Sequence, residues 1–219
     1  MAYALICAGG RGLRFGGDVP KQFIETKGKP ILLQTVEVFE RTAEIEKIVV
    51  MCPKDYLKEA EEILSSCKKA YVTEGGADRN LSVMNGIAYI EKHFGLDEKT
   101  IVVTHDAVRP FVNEKMIVRS IEEAKKYGAA VAAVPAVDTV IEVENGVITS
   151  VPDRQKMYQV QTPQTFYAKK LRELYLSLSQ EEKSILTDCS RIYVSKGETV
   201  RVIDGDIKNI KITFKSDVE

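Results

Sequence analysis

The sequence predicts an α/β fold in three layers, with helices on both sides of a mostly parallel sheet and a projecting β-hairpin arm. Short apolar runs alternate four times with helical segments between residues 3 and 135, which is typical of a parallel sheet with right-handed crossovers. The arm is predicted because Asn145-Gly146, a strong hairpin signal, separates two alternating segments after residue 137.

The elements follow from the spacing of apolar residues and from the residues that end each run. Strands are predicted at residues 3–8, 45–51, 69–73, 100–104, 129–135, 199–203 and 210–214. Helices are predicted at residues 30–42, 56–67, from Asn80 or Ser82 to Gly95, 116–127, 167–178, and in a short piece that begins near Leu186. We expect one domain over residues 1–219, with the arm at about residues 137–157.

Composition narrows the range of partners. The chain has 31 basic and 32 acidic residues and a net charge of −1, so its overall charge gives no reason to expect binding to nucleic acid or to a membrane. Its four cysteines form no C-x-x-C pair, which argues against a zinc site and a disulfide framework. We find no signal-peptide pattern and no apolar run of membrane-spanning length, and we therefore expect a cytoplasmic protein.

The first predicted strand leads into a glycine-rich, basic loop. Five glycines fall within nine residues, with Arg11 and Arg14 between them and Lys21 just beyond. Glycine lets backbone N–H groups approach anionic oxygens closely, so this loop predicts phosphate binding, although an ordinary flexible turn is the alternative. Phe15 breaks the dinucleotide fingerprint and the chain has no Gly-Lys-Ser/Thr, so dehydrogenases and P-loop nucleotidases are disfavoured.

Two more loops lie at predicted strand ends. One contains Gly75 and Gly76, and the other contains His105 and Asp106. In open α/β sheets, ligands bind at the carboxyl ends of the strands, so we expect these loops to share one site with the first. Asp106 is a candidate for a divalent cation or a ribose hydroxyl, with a turn aspartate as the alternative, and His105 is expected to be structural and not a general base.

Nine motifs spread over nearly the whole chain carry a resemblance to a known family. They are the runs at residues 8–15, 20–22, 75–79, 105–110, 138–139, 153–154, 161–164, 186–188 and 209–211. In this order they resemble the sugar-alcohol-phosphate cytidylyltransferases. The resemblance implies a Rossmann-like fold of the nucleotide-diphospho-sugar transferase type, with CTP, a sugar-alcohol phosphate and Mg²⁺ as ligands.

The resemblance also implies roles for individual residues. Arg14 and Lys21 resemble the pair that neutralises the triphosphate, Asp106 the magnesium and ribose residue, and Lys211 a cation on the acceptor phosphate. Arg154 resembles the arm residue that, with Thr139, reaches the other subunit's acceptor, which implies a homodimer. The remaining residues implied to contact the substrates are Ala8, Gly9, Gly10, Gly75, Gly76, Arg79, Ser82, Ala107, Thr162 and Thr187.

Two branches of this family use different acceptors. One uses 2-C-methyl-D-erythritol 4-phosphate, for isoprenoid precursors, and the other uses D-ribitol 5-phosphate. Sequence interpretation favours methylerythritol phosphate narrowly, with ribitol phosphate as the alternative. A nucleotidyltransferase for another base and a non-catalytic nucleotide-binding domain are further alternatives.

Overall fold

A computed structural model describes residues 1–10 and 19–218 of the chain. The prediction for Arg14 lies outside these described residues. The strands are β1 Ala2–Cys7, β2 Glu25–Thr26, β3 Lys29–Pro30, β4 Ile45–Cys52, β5 Ala70–Glu74, β6 Ile101–Asp106, β7 Ala129–Pro135, β8 Glu142–Glu144, β9 Val147–Ser150, β10 Tyr158–Tyr167 and β11 Arg201–Asp204. The helices are α1 Ile31–Arg41, α2 Leu57–Ile63, α3 Arg79–Phe94, α4 Glu114–Tyr127, α5 Ala168–Leu176, α6 Gln180–Ser184 and α7 Cys189–Ser195.

Seven strands form the central sheet, in the order β11-β7-β10-β6-β1-β4-β5. β1 pairs in parallel with β4 and β6, β4 with β5, and β7 with β11, which confirms a mostly parallel α/β sheet. Because β1, β4, β5 and β6 are parallel, their carboxyl ends meet at one edge of the sheet. There Cys7 lies in register with Asp106.

Apolar side chains cover both faces of this sheet. On β1, Ile6 packs with α1 and α4 on one face, and Leu5 packs with α3 and α5 on the other. Side chains alternate along a strand, so a strand with helices on both faces must be apolar at every position. This is why the uninterrupted apolar runs predicted their strands well.

β10 was not predicted as a strand, and it is antiparallel to both of its neighbours, β6 and β7. Its middle carries polar residues, Gln161 and Thr162, followed by Pro163, and the register with β7 shifts between Val160 and Gln164. Neither alternation nor an apolar run marks such a segment, although it lies in the interior of the sheet.

One sequence prediction of an element was wrong. No strand forms at residues 210–214; after β11 the chain turns back across the end of the sheet, where Ile212 N–H donates to the Val108 carbonyl at 2.9 Å without forming a ladder. Helix α3, predicted to begin at Asn80 or Ser82, begins at Arg79, because the Asp78 carboxylate accepts from Leu81 N–H at 2.8 Å and caps it.

The predicted hairpin is present as β8 and β9, which pair only with each other among the described strands. Asn145 and Gly146 both have positive φ, 51° and 79°, as a two-residue type I′ turn requires. Both strands are exposed over most of their length, and Val143, Val147 and Ile148 present apolar side chains to solvent. Its role in contacting a second subunit stays a prediction.

No helix in residues 1–10 and 19–218 combines the length and the apolar character that crossing a membrane requires.

Candidate active site

A cavity of about 480 Å³ opens at the carboxyl ends of β1 and β6 and at the start of α3. Most of the residues predicted to bind substrate line it. These are Ala8, Gly9, Gly10, Lys21, Gly76, Arg79, Ser82, Asp106, Ala107 and Lys211. The three strand-end loops therefore meet in one place, as the parallel sheet predicts.

Asp106 is the centre of the charge arrangement. Its side chain is 8% exposed; Oδ1 accepts from Arg79 Nε at 3.0 Å, and Oδ2 lies 3.3 Å from Arg109 Nε and 3.0 Å from Lys211 Nζ. Burial would raise the pKa of the Asp106 carboxyl, but the charges of Arg79, Lys211 and Arg109 outweigh burial and hold that pKa well below its usual range. Asp106 is therefore ionised at any physiological pH.

Three cations around one carboxylate leave this part of the cavity positive, although the whole chain carries a net charge of −1. The Nη2 atom of Arg79 is buried and has no hydrogen-bond partner among the described residues. An unpaired buried guanidinium N–H is costly unless a ligand supplies an acceptor. The site is thus suited to an anionic or carbonyl-bearing ligand.

His105 directly precedes Asp106 in β6 and is held within the fold. It is fully buried, with Nε2 3.1 Å from the Arg109 carbonyl and Nδ1 2.8 Å from Thr162 Oγ. Since a carbonyl can only accept, Nε2 carries the proton and Thr162 donates its hydroxyl proton to Nδ1. Burial lowers the pKa of His105 to about 4, so the ring is neutral and both nitrogens are used within the fold. This agrees with the structural role expected for His105.

The loop after β5 is organised by Ser82. Its hydroxyl donates to the Asp78 carbonyl at 2.8 Å and accepts from Gly76 N–H at 2.9 Å. A Cβ on Gly76 would lie 2.6 Å from Leu81 Cγ, so the close approach of the loop to α3 requires glycine there. Ser82 thus fixes the shape of the loop while it also lines the cavity.

The loop after β1 is held in a similar way by Gln22, which is buried. Its Nε2 donates to the carbonyls of Ala8 and Gly10, the latter at 3.1 Å. Ala8 N–H donates to the Met51 carbonyl at 2.8 Å, which fixes the start of the loop against β4. The described start of the glycine-rich segment, residues 8–10, is therefore held by β4 and by Gln22.

Lys21 and Lys211 approach the cavity from different elements but are linked. Lys21 is buried, and its Nζ donates to the carbonyl of Ile212 at 2.6 Å. Ile212 directly follows Lys211, whose side chain is 43% exposed and reaches Asp106. The C-terminal part of the chain thus carries one cation, Lys211, to the cavity and binds a second, Lys21, through the Ile212 carbonyl.

Five predicted site residues do not line the cavity. Thr162 is buried next to Asp106, and its hydroxyl accepts from the Asp106 N–H at 3.3 Å. Gly75 belongs to the second loop, and its carbonyl accepts from Asn85 Nδ2 at 3.2 Å. Thr139 and Arg154 are exposed near the hairpin, where Arg154 Nη1 donates to the Val137 carbonyl at 2.9 Å. Thr187 is exposed just before α7. Within one chain, then, the side chains of Thr139, Arg154 and Thr187 are not assembled with the cavity.

A magnesium site was predicted at Asp106. No group of three or more His, Cys, Asp or Glu side chains in the described residues could hold a metal ion. Asp106 Oδ1 accepts one hydrogen bond from these residues, so it keeps a lone pair. Mg²⁺ in proteins is commonly bound by one or two carboxylates together with substrate phosphates. The donor set therefore fits a magnesium ion that arrives on a triphosphate, and does not form a cage of its own.

Sequence interpretation assigned no role to Arg109, Gln22 or Asn209, although all three lie in quoted motifs. Arg109 binds Asp106 and also donates from Nη1 to the Asn209 carbonyl at 2.8 Å. A cation three residues after a strand-end aspartate was an available signal for the first contact. The second joins residues 100 positions apart, and only the fold brings them together.

Two thiols lie beside the charged cluster, that of the partly buried Cys7 and that of the buried Cys189. Arg79 Nη1 donates to Cys189 Sγ at 3.6 Å, and Cys7 lines the cavity. Burial raises the pKa of Cys7 to about 12 and that of Cys189 to about 11. Both thiols are protonated at neutral pH, which agrees with the interpretation of Cys7 as a small core residue and not a nucleophile.

The fold and this phosphate-compatible site together are those of a nucleotidyltransferase. The chain belongs to the family described as IspD, 2-C-methyl-D-erythritol 4-phosphate cytidylyltransferase, whose model matches residues 2–219. This confirms the family resemblance seen in the sequence motifs.

Solved structures and curated relatives agree on the class. A 4-diphosphocytidyl-2C-methyl-D-erythritol synthase from Anaerococcus prevotii is 30% identical with a TM-score of 0.84, covering 100% of this chain and 92% of that one. A 2-C-methyl-D-erythritol 4-phosphate cytidylyltransferase from Francisella tularensis is 28% identical with a TM-score of 0.85, covering 99% of this chain and 96% of that one.

Two curated relatives carry the name of the other branch. Ribitol-5-phosphate cytidylyltransferases from Lactiplantibacillus plantarum and Streptococcus pneumoniae are 40% and 45% identical. The matches cover 100% of this chain and 95% and 96% of those proteins. Three of these four relatives are named cytidylyltransferases, and the family model shows that this chain is a cytidylyltransferase.

Proposed function

We propose that the chain transfers CMP from CTP to D-ribitol 5-phosphate, which gives CDP-ribitol and pyrophosphate. The observation that carries this choice is the 40–45% identity, over the whole chain, to relatives named ribitol-5-phosphate cytidylyltransferases. The two methylerythritol-named structures described above are 28–30% identical. The relatives therefore favour the acceptor that sequence interpretation placed second.

In this proposal the nucleotide occupies the cavity between the two glycine loops. Lys21, together with Arg14, neutralises the triphosphate, and the backbone at Ala8, Gly9 and Gly10 faces it. The loop at Gly75 and Gly76, shaped by Ser82, holds the cytosine. Arg79 supports this, because its buried Nη2 has no hydrogen-bond partner among the described residues and can donate to a ligand oxygen.

Asp106 would hold the Mg²⁺ that arrives with CTP, and the ion would supply charge neutralisation at the phosphates. The low pKa of Asp106 supports this assignment, because a cation ligand must be ionised. The Nζ of Lys211 lies 3.0 Å from Asp106 Oδ2, and the lysine side chain is 43% exposed. It can therefore rotate toward an incoming acceptor phosphate.

The chemical step is an in-line attack by an acceptor phosphate oxygen on the α-phosphorus of CTP. A new P–O bond forms there, the bond between the α-phosphorus and the bridging oxygen breaks, and pyrophosphate leaves. The acceptor phosphate is ionised near neutral pH and needs no general base. Positioning and charge neutralisation would then supply the catalysis, which agrees with a neutral, fully engaged His105.

We further propose that the hairpin completes the site of a second subunit in a homodimer, with Thr139 and Arg154 reaching the partner's acceptor. Two observations support it. Thr139 and Arg154 do not line this chain's cavity, and the exposed apolar residues of the hairpin and its flanks form a surface suited to burial. The exposed set is Val137, Val140, Ile141, Val143, Val147, Ile148, Val151, Tyr158 and Val160.

Methylerythritol 4-phosphate is the second candidate acceptor, because the matching family model and the two structures described above carry that name. A direct assay separates the two. Pyrophosphate release is measured with CTP, Mg²⁺ and either acceptor, and with UTP and ATP in place of CTP.

We expect release with CTP and ribitol 5-phosphate, and a kcat/KM for methylerythritol phosphate at least tenfold lower, since the loss of matched hydroxyl contacts costs about 1.4 kcal/mol or more. Faster turnover of methylerythritol phosphate would overturn the proposed acceptor. CTP binding without pyrophosphate release from either acceptor would favour a binding domain over an enzyme.

A further inference from the structure

The C-terminal segment, residues 205–213, carries Lys211 to the cavity without belonging to the sheet. Among the described residues its backbone N–H groups donate to backbone carbonyls of other elements at two places, Gly205 to the Ala133 carbonyl at 2.8 Å and Ile212 to the Val108 carbonyl at 2.9 Å. The six residues between these points form no strand. Side chains from other elements must therefore set their path.

Gln161 of β10 holds the first half of this segment. Its Nε2 donates to the Asp206 carbonyl at 2.8 Å, and its Oε1 accepts from the Asp206 N–H at 3.2 Å. The carboxamide thus pairs with both backbone groups of one residue, as a neighbouring strand would. A Cβ on Gly205 would lie 2.6 Å from this Oε1, so the close approach depends on glycine.

Asn209 holds the second half. It is fully buried, and its Nδ2 donates to the Thr162 carbonyl at 2.8 Å and to Gln161 Oε1 at 3.4 Å. Both neighbours are acceptors, so the amide nitrogen must face them. The Asn209 backbone carbonyl accepts from Arg109 Nη1 at 2.8 Å, which ties the same residue to the cluster around Asp106.

Lys211 lies two residues beyond Asn209, and its Nζ is 3.0 Å from Asp106 Oδ2. Its side chain is 43% exposed and has four rotatable bonds, so surface contacts of the lysine itself cannot fix its position. The backbone from which it projects can. Neither Gln161 nor Asn209 lines the cavity or carries a charge, so an effect of either on the reaction would pass through that backbone.

We propose that Gln161 and Asn209 are positioning residues that set Lys211 for its acceptor-phosphate role, an inference that rests on the proposed function of Lys211. The two carboxamides form a clamp between β10 and the C-terminal segment. Loosening the clamp displaces Lys211 while the CTP loops keep their own supports, Gln22 and Ser82. Ile212, whose carbonyl accepts from Lys21, also retains its bond to Val108.

The test is a steady-state comparison of the wild type with Asn209→Ala, Lys211→Ala and the double variant. We expect Asn209→Ala to raise the KM for the acceptor about tenfold and to leave the KM for CTP within about twofold. In the Lys211→Ala background the same substitution should change the acceptor KM by less than about twofold, because the residue it positions is gone. Lys208→Ala, an exposed neighbour on the same segment, is the matched control and should change neither KM.

An equal effect of Asn209→Ala in both backgrounds, or equal losses for CTP and acceptor, would overturn the proposal. If Asn209→Ala does not fold, Gln161→Met, which keeps the side-chain length, takes its place; loss of fold in both would overturn the proposal, because the two residues would then be general core residues. All of these steady-state measurements use the acceptor phosphate that the wild type turns over.

Failure of the proposed function is recognised separately, as no pyrophosphate release by the wild type with either acceptor. Hydrogen exchange then tests the clamp without turnover. We expect Asn209→Ala to reduce protection across residues 206–209, where the Asp206 N–H donates to Gln161 Oε1 and the Asn209 N–H donates to the Asp206 carbonyl, and to leave Ile212 and β6 unchanged. Unaltered protection of residues 206–209 would overturn the proposal.

Discussion

The two glycine loops and the two peripheral segments of this protein are built in opposite ways. The loops, residues 8–10 and 75–82, follow buried strands and are fixed by short hydrogen bonds from Gln22, Ser82 and the cap of α3. The peripheral segments, the β8–β9 hairpin and the C-terminal segment, have little or no pairing with the main sheet. Under the proposed function and the proposed homodimer, the nucleotide side of the site is held within one chain, while the acceptor side depends on side-chain contacts and on a second subunit.

Substitution of Lys21 has the largest expected effect and tests the nucleotide side of the site. It is buried in the cavity wall and bound to the Ile212 carbonyl, so Lys21→Ala removes a positioned cation from the proposed triphosphate site. We expect kcat to fall roughly 10²–10³-fold, as for loss of one preorganised transition-state donor. Single-turnover pyrophosphate release measures it. A control, Lys29→Ala, removes an exposed lysine paired with Glu37 and should leave kcat unchanged; a fall in CTP affinity alone would contradict the catalytic role of Lys21.

Asp106 binds Arg79 on the nucleotide side and Lys211 on the acceptor side. Its replacement tests these ion pairs through the free energy of unfolding. Asp106→Asn leaves Arg79, Arg109 and Lys211 facing a neutral amide, which should lower the free energy of unfolding by about 3 kcal/mol at pH 7. Because the folded pKa of Asp106 is held low, this contribution is fully present above the unfolded pKa of about 3.9 and is lost as the pH falls toward the folded value.

Urea unfolding of both proteins between pH 3 and pH 8 checks this. The gap between wild type and variant should be constant above about pH 5 and should narrow below about pH 4. A gap that widens in acid would contradict the ionised state assigned to Asp106.

Mixing two variants of lowered activity tests whether the hairpin completes the site of a second subunit. If Arg154 acts on the partner's site, Arg154→Ala and Lys211→Ala should each lower activity roughly tenfold or more. In an equal mixture, half of the dimers pair the two variants, and each mixed dimer has one intact site, so activity should recover to about a quarter of wild type. Activity that does not rise on mixing, or a fully active monomer in sedimentation, would contradict the proposed exchange between subunits.

The sequence predicted the loop side and the hairpin far better than β10 and the C-terminal segment. The apolar runs of β1, β4 and β6 reveal buried strands because both faces are covered, and glycines and charges at their ends reveal the cavity. β10 was not predicted because its interior is polar at Gln161 and Thr162. The strand expected at residues 210–214 is instead a segment that side chains of other elements hold in place. Contacts such as that of Arg109 with Asn209 join distant positions and depend on topology, which local patterns do not encode.

The smallest expected effect concerns the rigidity of the loop side itself. Ser82→Ala removes a buried hydroxyl that accepts from Gly76 N–H and donates to the Asp78 carbonyl. Losing it should cost about 1 kcal/mol, which corresponds to a rise in the KM for CTP of roughly fivefold, with the KM for the acceptor unchanged. Ser65→Ala, at an exposed serine far from the cavity, is the control. A rise in the acceptor KM instead would mean that the second glycine loop serves the acceptor, and the division between a rigid nucleotide side and a clamped acceptor side would have to be redrawn.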